Sequence, residues 1–90
     1  MTGKMAFSKA GHDKGKLYLI IKQEEDRVWL GADGAGRGLL TPKKKNKKHV
    51  QIVNQGIDEK ELERFWENPA WADNQIRETL SQFYQRMDSE

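Results

Sequence analysis

The hydrophobic pattern of this chain changes period once, near residue 55, and that change constrains the fold more than any other feature. Before it, short apolar segments alternate with glycine and charge. Lys16-Leu-Tyr-Leu-Ile-Ile-Lys22 and Arg27-Val-Trp-Leu30 flank the charged connector Gln23-Glu-Glu-Asp26, the length of a hairpin loop, so the two segments predict an antiparallel pair. Residues 5–8, 37–40 and 49–53 are further short strand candidates, the second following the glycine-rich stretch Gly31-Ala-Asp-Gly-Ala-Gly36. Five short strands in about fifty residues predict a small, strongly bent β-barrel over residues 1–55.

After the change, the spacing is helical. Asp58 with Glu61 three residues on has the form of a helix N-cap, and Ile57 and Leu62 occupy hydrophobic-staple positions. Asn68-Pro69 ends that helix, and Asp73 is the expected cap of a second one. In the second helix Ile76, Leu80, Phe83, Tyr84 and Met87 fall on one face. Residues 56–90 therefore read as a C-terminal helical extension packed on the barrel, giving a fold that is mainly β with α. A chain of 90 residues without cysteine must rely on such shared burial, because disulfides and thiolate metal sites are excluded.

Charge divides at the same place. Residues 1–53 carry twelve basic side chains against five acids, a net charge of +7, whereas residues 54–90 carry four against nine, a net charge of −5. A basic half in a short chain predicts a polyanionic partner, with nucleic acid ahead of a membrane because no basic amphipathic helix is visible. The longest apolar run, residues 17–21, is far below bilayer length, and the first ten residues lack an apolar signal segment, so the expectation is a cytoplasmic protein.

Two segments concentrate the positive charge. Pro42-Lys-Lys-Lys-Asn-Lys-Lys48 places Lys43, Lys44, Lys45, Lys47 and Lys48 within six positions, and it reads as a loop held at both ends by apolar segments. Such a block repels itself and gains when phosphates displace condensed counterions. The second segment, Ser8-Lys-Ala-Gly-His-Asp-Lys-Gly-Lys16, is a tight turn in which Gly11 and Gly15 allow unusual backbone angles and Asp13 braces the turn. Lys9, His12, Lys14 and Lys16 radiate from it as candidate RNA contacts.

That segment, the apolar strand after it, Val28-Trp-Leu30 and Asp33-Gly34 together resemble the KOW motif of large-subunit ribosomal proteins and NusG-type elongation factors. Arg37, Pro42-Lys-Lys-Lys-Asn-Lys-Lys-His49 and Ile76-Arg-Glu-Thr-Leu80 extend the likeness to small bacterial KOW-domain RNA-binding proteins similar to ribosomal proteins. The resemblance implies an SH3-like barrel and RNA binding, with ribosomal RNA or the ribosome as partner, and it adds Arg37 and His49 to the candidate contacts.

Other chemistries fit poorly. Gly31-Ala-Asp-Gly-Ala-Gly-Arg-Gly38 lacks the Gly-Lys-Ser/Thr of a phosphate loop and has Leu39 where a dinucleotide fingerprint needs glycine. His12, His49, Asp13 and Asp33 have no metal-ligand spacing and no adjacent nucleophile, so neither an enzyme nor a cofactor is expected. Trp29, Trp66, Trp71 and Tyr18 are expected to pack rather than to stack on bases. The residues thus predict an RNA-binding accessory protein, the alternative being a protein-interaction adaptor that uses the acidic helices or a barrel edge.

Overall fold

The computed structural model describes residues 2–12, 14–31 and 38–88. Five strands, β1 (Lys4–Ser8), β2 (Leu17–Gln23), β3 (Arg27–Gly31), β4 (Lys43–Asn46) and β5 (Val50–Gly56), precede two helices, α1 (Glu59–Glu67) and α2 (Pro69–Asp88). The strands form one antiparallel sheet in the order β4-β3-β2-β1-β5. The protein is thus a small mixed α/β fold.

The connection between the last two strands dictates the shape of the sheet. β4 and β5 are its opposite edges, yet only a 3₁₀ turn, Lys47–His49, joins them. Edges of a flat five-stranded sheet would stand about 19 Å apart, whereas three residues of 3₁₀ helix advance about 6 Å. The sheet must therefore curl until its edges approach at this end. β4 and β5 do not pair, so the sheet stays open and the closed barrel expected from the strand count is not formed. The 3₁₀ turn occupies the place where a closing ladder would start.

Curling gives β2 two buried faces, which explains its unbroken apolar run. Leu17, Leu19 and Ile21 join the helix-side cluster with Met5, Leu39, Leu62, Phe65, Ile76, Leu80 and Phe83. Tyr18 and Ile20 point into the curl with Ala6, Val28, Leu30 and Val50. The helix-side cluster draws on both halves of the chain, so sheet and helices share it.

Sequence expectations hold for the hairpin and for α1, where the Asp58 carboxylate accepts from the Glu61 N–H at 2.8 Å. Three others are corrected. Residues 38–40 are not a strand; Leu39 and Leu40 lie in a turn, and Arg37 falls outside the described residues. The fourth strand is instead the lysine run itself, since a sheet edge tolerates charged side chains that solvent can reach. α2 begins at Pro69 rather than after Asp73, because proline suits a first helical position and Asn68 Oδ1 accepts from the Trp71 N–H at 3.4 Å. Asp73 lies inside α2, where its carboxylate accepts from the Leu39 N–H at 2.7 Å.

Of the α2 stripe, Ile76, Leu80 and Phe83 are buried, while the Tyr84 hydroxyl accepts from the Leu17 N–H at 2.7 Å and fixes α2 on β2. The Met87 side chain lies outside the description. No helix among the described residues is long and apolar enough to cross a membrane. Leu80→Ala should destabilise the whole chain by about 2–5 kcal/mol, read as a lower urea midpoint in one cooperative transition. A midpoint that does not move would mean that α2 is not part of the core.

Candidate nucleic-acid interface

The β1–β2 turn is built by its backbone. Ser8 donates to the Lys16 carbonyl at 3.0 Å, Gly15 to the Ser8 carbonyl at 2.8 Å, and Lys14 to the Gly11 carbonyl at 3.3 Å. Closing it needs left-handed backbone at Gly11 (φ 85°) and Gly15 (φ 88°), which residues bearing a Cβ adopt only with strain. Lys9, His12, Lys14 and Lys16 are all exposed around this turn. Asp13, the expected brace, lies outside the described residues, as do Asp33 and Arg37.

The lysine run divides between two faces because it is a strand. Lys43 and Lys45 pair with Leu30 and Val28 and share their side of the sheet, while Lys44 pairs with Trp29 on the helix side. Lys45 is only 8% exposed. Its ammonium donates to Ser8 Oγ and, at 2.7 Å, to the Ala10 carbonyl, bridging β4 to the end of β1 across the mouth of the curl. Lys45 is therefore an internal brace of the loop, in contrast to its expected place among the surface lysines.

In the 3₁₀ turn, Asn46 Oδ1 accepts from the Lys48 N–H at 3.0 Å. Lys47 is held by the β2–β3 connector: its N–H donates to the Asp26 carbonyl at 3.0 Å and its ammonium to the Glu25 carbonyl at 2.8 Å. Lys48 and His49 are exposed. The His49 carbonyl in turn accepts from the Lys9 N–H at 2.7 Å.

These bonds join two segments that are roughly thirty residues apart in sequence. Lys9, His12, Lys14 and Lys16 from one, and Lys48 and His49 from the other, border one rim of the curled sheet. The connector carrying Glu24, Glu25 and Asp26 bounds it beyond Lys47. The rim is thus a basic strip with an acidic limit on one side.

Other features offer less chemistry. An open groove of about 680 Å³ between β5 and α2 is lined by Lys4 and Arg86 as well as Asp58 and Glu61, and it shares no residue with the rim. Among the described residues, no three of His, Cys, Asp and Glu come together as metal ligands would.

One group escaped the sequence reading. Lys22 pairs with Trp29 from the other side, because a bulge between Ile20 and Lys22 shifts the register. The Lys22 and Lys44 ammonium groups lie 4.8 and 5.2 Å from the indole centroid. Strict alternation would have put Lys22 on the Tyr18 face, and no sequence signal marks the bulge. Trp29 packs, as expected, against the helix-side cluster, but it remains partly exposed. Comparison with protein-family models and with curated proteins finds no match to this chain.

Lys45→Met, which keeps the aliphatic stem and removes the ammonium, should cost about 1–3 kcal/mol by removing the donor that Ser8 Oγ and the Ala10 carbonyl share. Hydrogen exchange of the Lys9 and Gly15 amides should accelerate with it. Unchanged exchange at both would show that the brace does not hold the turn.

Proposed function

We propose that the protein is a non-catalytic RNA-binding accessory protein of the cytoplasm, docking on structured RNA, in particular ribosomal RNA, through the rim formed by the β1–β2 turn and the 3₁₀ turn. The observation that carries this reading is the Lys9–His49 backbone bond, which makes one surface of two basic segments. On that surface Lys9, Lys14, Lys16 and Lys48 present ammonium groups to phosphates, and His12 and His49 add donors. Lys45 serves as their support from inside. The contacts position the protein on a phosphate surface; sequence readout by bidentate arginine or asparagine pairs is not part of the proposal.

The same reading assigns the sheet to the SH3-like, KOW-type class. Five antiparallel strands, a 3₁₀ turn linking the edges, and a glycine-bounded basic turn between β1 and β2 support that assignment. The acidic helical half would not be the contact surface. A second reading, a protein-interaction adaptor, is favoured by three large apolar side chains that reach the surface: Leu40 (72%), Trp66 (45%) and Trp71 (37%).

Salt dependence separates the two. Contact with about four to six phosphates should make log K fall with log salt at a slope of roughly −3 to −5 on a structured ribosomal RNA fragment. Replacing Lys14 and Lys48 together by Gln should flatten that slope by nearly two without changing sequence preference. A slope near zero, or one that the double variant leaves unaltered, removes the rim as the RNA surface and favours the adaptor.

A further inference from the structure

On the helix side of the sheet, Lys22, Trp29 and Lys44 stand in register on β2, β3 and β4, one row across three adjacent strands. Arg27, two residues from Trp29 on β3, shares that face and is exposed. Both lysines are exposed, and neither ammonium meets a carboxylate among the described residues. The indole packs against the helix-side cluster and keeps part of its surface in solvent.

Two cations drawn to one aromatic ring repel each other, and their shared attraction to the ring only partly offsets this. A ligand that brings both a π face and negative charge relieves that conflict. An unpaired nucleotide has both: its base stacks on the indole in place of an ammonium, and the displaced ammonium moves to the phosphate. We propose that the Lys22–Trp29–Lys44 row is a second nucleic-acid site, taking unpaired nucleotides of a single strand, separate from the phosphate-binding rim.

The proposal rests on the reading of the chain as an RNA-binding protein and adds the class of RNA that this face takes. The bulge between Ile20 and Lys22 has a role in it: without that shift Lys22 would point into the curl, and the indole would have one lysine neighbour instead of two. Stacking needs no particular base, so the site should be tolerant of sequence.

The test uses the full chain and two RNA probes, a ten-nucleotide oligouridylate and a blunt duplex without unpaired residues. Trp29→Leu keeps an apolar side chain against the core and removes the stacking face. It should weaken oligouridylate binding about ten-fold or more and leave duplex binding within about two-fold, whereas Lys14→Gln with Lys48→Gln should weaken the duplex more than the oligouridylate. A second measurement leaves Trp29 in place: in a Trp66→Phe, Trp71→Phe protein, oligouridylate should quench the remaining Trp29 fluorescence and the duplex should not. Equal oligouridylate affinity for folded Trp29→Leu, or no quenching at saturating oligouridylate, would overturn the second site while leaving the rim intact. Absence of binding of either probe to the wild-type chain would overturn both.

Discussion

Joining the two edge strands of a five-stranded sheet through three residues is the constraint on which the rest of this structure depends. It forces the curl, and the curl then provides an enclosed side for Tyr18, Ile20, Val28 and Leu30 while the outer side remains to be covered. α1 and α2 supply that cover, with Phe65, Ile76, Leu80 and Phe83 against Leu17, Leu19 and Ile21. A sheet of this size would bury too little surface without them. Across the mouth of the curl, the Lys45 side chain of β4 reaches the end of β1, its ammonium donating to Ser8 Oγ and the Ala10 carbonyl.

The same geometry organises charge. Because β5 starts beside the end of β1, the turn after β1 meets the turn after β4, and basic residues from both reach solvent together. Burial of Lys45 is tolerable only because its ammonium finds two oxygen acceptors within the mouth of the curl. The negative residues of the second half are carried largely by α1 and α2 on the outer layer, where Glu59, Glu61 and Glu63 lie in exposed positions of α1. The basic rim and most of these acids therefore lie on different elements, an arrangement that favours oriented approach to a polyanion.

Local signals in the sequence were readable where one segment decides the outcome. The β2–β3 hairpin followed from two apolar runs and a four-residue connector, and α1 from Asp58 and Glu61. The start of α2 was missed because Pro69 and Asn68 acted as first helical residue and cap, while Asp73, a good cap by composition, was taken up by the Leu39 N–H. β4 was hidden because five lysines in six positions look like solvated loop, although a sheet edge leaves Lys44 in water and the end of β1 provides acceptors for Lys45. The candidate lysines were visible as types, but their division between rim, indole face and interior depended on strand alternation, one bulge and two backbone bonds that composition does not encode.

The central claim is that the β1–β2 turn and the 3₁₀ turn act as one RNA-binding surface. Titrating the isotopically labelled full-length chain with a structured ribosomal RNA fragment, followed by amide chemical shifts, tests it most directly. The account predicts that the amides of Lys9, Gly11, Lys14 and Lys16 and those of Lys48 and His49 shift together along one binding curve, with α1 and α2 largely unmoved. Movement of only one of the two segments, separate curves for each, or shifts centred on the helices would contradict it.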